Sequence, residues 1–135
     1  MSRTLKYVEL CTGTDHNGPA WIGFAETSRS GRMVYFNGRA YARTTGGGVV
    51  GNAYDVESRE FVWISGVKKR ETNRHVFGSG RTSVSEDAVE ALLQLKGWTE
   101  LDESEYDVVP SFPPTDKERI RQLLNESICD EVDAV

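Results

Sequence analysis

Polar and apolar side chains alternate from Lys6 to Cys11, the period of a half-buried strand, and Trp21 to Phe24 is a short apolar run. Asn17-Gly18-Pro19 punctuates the interval between them, and Ser30-Gly31 marks the next turn. Arg32 to Phe36 and Arg39 to Arg43 then flank Asn37-Gly38, a pair that suits a type I′ hairpin because both central residues of that turn need φ > 0. Gly46-Gly47-Gly48 leads into Val49-Val50, and Gly51-Asn52 opens a strand near Ala53 to Val56. A loop over Glu57-Ser58-Arg59 returns the chain into Glu60 to Val67, dense in strand formers. A further strand is predicted over His75 to Phe77 or Thr82 to Val84.

Past Ser85 the period becomes helical. Glu86 and Asp87 occupy a first turn, Ala88, Val89, Leu92 and Leu95 fall on one side, and Gly97 follows, which predicts a short amphipathic helix packed on the sheet. Residues 100 to 114 are acidic, carry three prolines and read as an irregular linker. Thr115-Asp116-Lys117-Glu118 reads as a capping box, and Ile120, Leu123, Leu124 and Ile128 form an apolar stripe on the helix behind it. The fold class is therefore mainly β (α+β), a small antiparallel β-barrel or bent sheet with one to two C-terminal helices. Residues 1–99 form a basic barrel-like body with a closing helix, and 100–135 an acidic linker and amphipathic helix.

Charge sharpens that division. The 135 residues carry a formal −5, but the chain through Ser85 holds 12 Lys or Arg against 7 Asp or Glu, and from Glu86 onward 4 against 14. A basic body followed by an acidic segment suits an anionic partner or the chain's own tail. No run approaches the ~18 apolar residues of a membrane span, and Met1 to Lys6 lacks the apolar core of a signal peptide. The expectation is a cytoplasmic protein with no membrane partner. Cys11 and Cys129 are too few for a disulfide scaffold, and Cys11 reads as a core thiol.

The hairpin carries the sharpest inference about a surface. Its turn pairs Phe36 with Arg39, Val34 with Tyr41 and Arg32 with Arg43 on one face, leaving Met33, Tyr35, Ala40 and Ala42 on the other. Burying three arginines without partners is costly, so the first face should be wet, with Phe36 and Tyr41 set among Arg32, Arg39 and Arg43. Such a face has the stacking-plus-charge chemistry of a single-stranded nucleic-acid binder. The competing reading is a cross-strand aromatic cluster roofed by arginine stems. Lys68, Lys69, Arg70 and Arg74 form a second basic group that suits phosphates, or simply a solvated turn. Trp21 and Trp63 read as core or core-edge residues, although an exposed ring at either would be a stacking surface, and Trp98 as a staple from helix end to barrel.

No catalytic residues, metal ligands or cofactor are predicted. Cys11, Asp15, His16 and His75 match no zinc spacing, and a Cys11–His75 nucleophile pair has no support. Gly46-Gly47-Gly48 lacks the Lys of a phosphate loop, and Gly78-Ser79-Gly80 does not open a helix.

Several motifs occur together: Lys6-Tyr-Val-Glu-Leu10, Asn17-Gly-Pro-Ala-Trp-Ile-Gly23, Ser30-Gly-Arg32, Tyr35-Phe-Asn-Gly38, Gly51-Asn52, Tyr54-Asp55, Trp63-Ile-Ser-Gly-Val-Lys-Lys69 and Arg74-His75. Over about residues 5 to 84 the chain resembles a group of small bacterial proteins to which no activity is attached. Some members carry the label of the thiamine-dependent deoxyxylulose-phosphate synthase. That enzyme is several times longer and has a diphosphate-binding Gly-Asp-Gly motif that this chain lacks, so the label is rejected here. The resemblance implies a bacterial origin and transfers no activity. The expected role is a non-catalytic interaction module that neutralises or stabilises a protein partner, with the stripe of Ile120, Leu123, Leu124 and Ile128 either lying in the partner's groove or docking on the chain's own body. The alternatives are single-stranded nucleic-acid binding through the hairpin face and a small enzyme of unknown type.

Overall fold

The computed structural model describes residues 3–11, 19–44, 51–67 and 82–133, with the side chains of the last helix as far as Asn125. Six antiparallel strands follow one another around a ring: β1 (Arg3–Leu10), β2 (Ala20–Thr27), β3 (Met33–Phe36), β4 (Arg39–Arg43), β5 (Ala53–Asp55) and β6 (Phe61–Gly66). β6 closes on β1, with Val8 opposite Ile64 and Glu9 opposite Trp63. The barrel expected from the strand pattern is the one observed. Among the described residues no helix is long and apolar enough to cross a membrane.

The hairpin forms in the predicted register, from Phe36↔Arg39 to Met33↔Ala42. Asn37 and Gly38 take φ of 52° and 75°, the left-handed values their turn requires. β5 is short, and a side chain extends it. The Asn52 amide donates to the Ile64 carbonyl and accepts from the Ile64 N–H, both at 2.7 Å, so it pairs with β6 as a backbone peptide would. At the other end the buried Asp55 carboxylate accepts from the Glu57 N–H at 2.9 Å and folds the turn into β6.

β2 is longer than its neighbour. Its far edge meets β3 only at Glu26 and Thr27, and at Ala20 to Ile22 it instead takes β7 (Thr82–Ser85), in parallel. β8 (Tyr106–Val109) adds in parallel outside β7, where the sequence suggested an irregular linker. Of the two places predicted for a further strand, Thr82 to Val84 is β7, while His75 to Phe77 and the Gly46 to Val50 stretch lie outside the described residues. Between β7 and β8 a single 3₁₀ turn at Glu86–Ala88 leads into α1 (Val89–Lys96), shorter than the predicted helix and ending at Gly97. Leu92 of α1 packs with Tyr7, Ile22 and Val84 against the outer side of β1, β2 and β7.

The barrel interior holds Val8, Ala25, Val34, Phe36, Tyr41, Ala53, Val62 and Ile64. Phe112 stops the gap where β2 forks. Its ring meets Phe36 edge-on at a centroid distance of 5.1 Å, and its N–H donates to the buried Ser85 hydroxyl at 3.1 Å. A Cβ on Gly23 would stand 2.5 Å from that ring, so only glycine fits beneath it.

α2 (Lys117–Asp133) lies on the outer face of the hairpin. Ala40 and Ala42 leave a shallow trough there, bordered by Met33, Tyr35 and Tyr54, into which Ile120, Leu123 and Leu124 pack. Residues 100 to 125, read from sequence as an appendage, thus add a strand, a plug and a covering helix to the body. The predicted capping box is displaced by one residue. Asp116 accepts the Arg119 N–H at 3.1 Å as the helix cap, while the Thr115 hydroxyl donates to the Arg39 carbonyl at 2.8 Å.

Gly23→Ala should lower stability by ~1–3 kcal/mol, the range for overpacking a filled site. In a Phe112→Ala background the same change should cost far less, since the two positions share one contact. Urea denaturation of the four variants measures both, and equal costs in the two backgrounds would remove Phe112 as the cause.

Candidate functional site

The hairpin face read as a wet platform is the barrel interior. Val34, Phe36 and Tyr41 are at most 4% exposed, and Phe36 meets the chain's own Phe112 edge-on. Burial pushes the Tyr41 hydroxyl well above its ordinary range. The arginines escape burial by position. Arg32 precedes β3, and Arg39 and Arg43 are the two ends of β4, so all three heads reach solvent while sharing the parity of core residues. Arg39 is engaged by Asp55 at 2.6 Å, and the Arg43 Nε donates to the Gly31 carbonyl at 3.0 Å. With Phe36 and Tyr41 buried, the three arginines frame no stacking surface.

The predicted partner-binding stripe is also occupied. Ile120 is 2% exposed on its own barrel, with Leu123 and Leu124 beside it. The side chain of Ile128 and the whole of Lys68, Lys69, Arg70 and Arg74 lie outside the described residues, as do His16 and His75. Among the described residues no three of His, Cys, Asp and Glu gather as metal ligands would. Cys11 is half-buried, and burial, aided by Glu9, pushes its thiol up to about 11, the reverse of what a nucleophile needs.

Charge crosses between helix and barrel in an unexpected sense. Lys117 reaches Glu26 at 2.5 Å, and Arg119 clasps Glu57 with two bonds of 2.6 and 2.8 Å. Here the cations belong to the acidic segment and the carboxylates to the basic body. Hydrogen bonds from Lys117 and Arg119 hold the Glu26 and Glu57 carboxyls below their ordinary range. A cleft of ≈ 630 Å³ opens beside this contact, and its walls include Glu26, Lys117, Arg3 and Asp87. Lys117 is matched there with Glu26, and Arg3 with Asp87 at 3.4 Å.

The open aromatic surface lies on β6 instead. Its inward residues Val62 and Ile64 are core, and the outward residues Phe61 and Trp63 are 38% and 45% exposed. Trp63 is thus a surface ring and not the core or core-edge residue expected, because the run Phe61 to Ile64 is apolar on both parities and its spacing does not tell inside from outside. Phe61 meets Tyr54 edge-on at 6.3 Å, and the Arg59 guanidinium lies 5.8 Å from the Tyr54 ring. Tyr54 also borders the α2 trough, so the strip of Tyr54, Phe61 and Trp63 begins where the cover of α2 ends. Beside Trp63 on β1 lies Glu9, a buried carboxylate that accepts the Tyr7 hydroxyl at 2.6 Å. Comparison with protein-family models, curated proteins and solved structures finds no match to this chain.

The depressed Glu26 and Glu57 pKa values make their contribution to α2 docking complete above the ordinary carboxylate range. That contribution is lost as pH falls through the folded-state values. Hydrogen exchange of 117–125, corrected for intrinsic rates, should show protection falling below about pH 4.5, the unfolded-state range. In Glu57→Gln the change should be smaller, and in Ile120→Ala protection should already be low at neutral pH, since a buried isoleucine outweighs exposed ion pairs.

Proposed function

We propose that this protein is a non-catalytic interaction module that meets a protein partner through the Tyr54, Phe61 and Trp63 strip. The carrying observation is the pair of large rings held out at successive outward positions of β6. Aromatic residues and arginine dominate the energetic centres of protein interfaces, where a polar rim shields an apolar middle. Phe61 and Trp63 supply that middle. Glu57, Arg59 and Glu60, all exposed, supply a rim of mixed sign. Mixed sign favours a protein surface over a polyanion, which would be met by cations alone.

A second reading follows from the same rings. β6 runs on in sequence toward Lys68, Lys69, Arg70 and Arg74, and exposed aromatics followed by cations are the parts of a single-strand binder. On this reading the strand would lie along β6 and not on the hairpin.

Phe61→Ala and Trp63→Ala together should leave the melting temperature within a few degrees of the parent. They should also remove a specific co-purifying protein when full-length chain is the bait, because an aromatic anchor contributes ~2 kcal/mol or more to such a contact. An identical set of co-purifying proteins would overturn the protein reading. Titration with fluorescent oligo-dT and oligo-U at two salt concentrations separates the alternatives: salt-sensitive binding lost in the double variant favours nucleic acid.

A further inference from the structure

A closed ring offers no edge to another chain, and among the described residues the sheet ends at β8. β8 pairs with β7 on one side, in the register Thr82↔Tyr106 to Ser85↔Val109. The Thr82 N–H donates to the Glu105 carbonyl at 2.9 Å, which turns the peptide groups of Glu105 and Asp107 toward β7. By the alternation of a parallel ladder, the N–H and C=O of Val108 then point away from β7. The Tyr106 N–H, on that same outer side, is taken by the Asp102 carbonyl at 3.0 Å. The Val108 side chain is 56% exposed. Backbone polar groups beside an exposed β-branched residue are what strand addition uses.

We propose that the β8 edge accepts an extended, cationic peptide segment of a protein partner, at a place separate from the β6 strip and independent of it. Charge selects the occupant. Asp102, Glu103 and Glu105 lead into β8, Asp107 lies on it, and all four are exposed. A second copy of the chain would bring the same four carboxylates to one edge, whereas Lys or Arg at alternate positions would complement them. The neighbouring loop supplies an aromatic face as well. Trp98 is 39% exposed and leans on Tyr106 at 5.9 Å, where sequence had it stapling α1 to the barrel. Lys96 Nζ stands 5.4 Å from the Trp98 ring, so the chain already seats one ammonium group there. Residues 97–103 and Glu105, which precede the edge in the chain, line an open depression of ≈ 930 Å³, with Glu100, Asp102, Glu103 and Glu105 on its walls.

Fluorescence anisotropy with a labelled decapeptide of alternating Lys and Val tests this, against controls of alternating Glu and Val and of alternating Lys and Pro. Saturable binding of the Lys-Val peptide is expected, with both controls bound at least roughly tenfold more weakly. Val108→Pro removes the outward N–H and leaves the β7–β8 bonds in place, so it should abolish binding. Should that variant fail to fold, Val108→Lys and Glu105→Lys, both at exposed positions, should each weaken binding. Phe61→Ala with Trp63→Ala should leave it unchanged, so that a failure of the β6 reading is told apart from a failure here. Equal binding of the Lys-Pro peptide would show attraction by charge alone and overturn the proposal. Absence of binding would overturn it too, leaving the carboxylates as guards against edge pairing, and a dimer in sedimentation that Val108→Pro dissociates would replace the peptide with a second copy.

Discussion

β2 has more edge than its ring neighbour can pair, and most of the chain beyond the barrel follows from that. Seven residues of β2, Ala20 to Glu26, face β1 on one side, but β3 meets only Glu26 and Thr27 on the other. Left open, Ala20 to Ile22 would hold unpaired backbone groups at the core's margin. β7 satisfies them, and entering in parallel it sends the chain through α1 before β8 can lie alongside. At the fork the interior would stand open beside Gly23, and Phe112 fills it from the strap that follows β8. The acidic C-terminal region is thus the means by which a forked barrel is sealed.

The strap then fixes where α2 lies. Ser85 holds the Phe112 N–H and Thr115 donates to the Arg39 carbonyl, so the chain crosses the hairpin tip and delivers Asp116 to cap a helix over Ala40. Burial of Ile120 supplies most of the adhesion, since a fully buried aliphatic side chain is worth ~1.5–3 kcal/mol and exposed ion pairs less. The ion pairs supply direction. Summed by segment, the charges suggest an acidic tail folding onto a basic body, yet the described contacts between α2 and the barrel put Lys117 and Arg119 on Glu26 and Glu57. Segment totals describe long-range attraction, whereas contact is decided by the few side chains within 4 Å.

Legibility tracks locality. The Asn37-Gly38 turn, its register, the six strands of the ring, α1 with its Gly97 end and the apolar stripe of α2 could all be read, because each is set by neighbours within one turn or one strand pair. Two kinds of feature could not. Sidedness failed on the hairpin because arginines at strand ends share parity with the core yet reach past the rim, so counting charged residues reversed inside and outside. It failed at Trp63 because every residue from Phe61 to Ile64 is apolar. β8 was missed because its four residues become a strand only through β7, seen in the ladder and not in the local pattern of an acidic, proline-bounded stretch. The candidate surface was therefore legible as chemistry, aromatic rings followed by cations, and illegible as location.

The position of Trp63 argues that its exposure is held rather than incidental. Turning that ring inward would flip Val62 and Ile64 out of the core, because the side-chain period of a strand is two. The Asn52 amide prevents such a slip by bonding both the N–H and the C=O of Ile64, the residue after Trp63. Asp55 and its turn fix the start of β6, and β1 fixes its other edge. A ring on so constrained a strand keeps little backbone freedom to lose on binding, and the ordering cost that weakens contacts made by loose segments is small here. The interactions that close the barrel are in this way the ones that hold the exposed rings of β6 ready for contact.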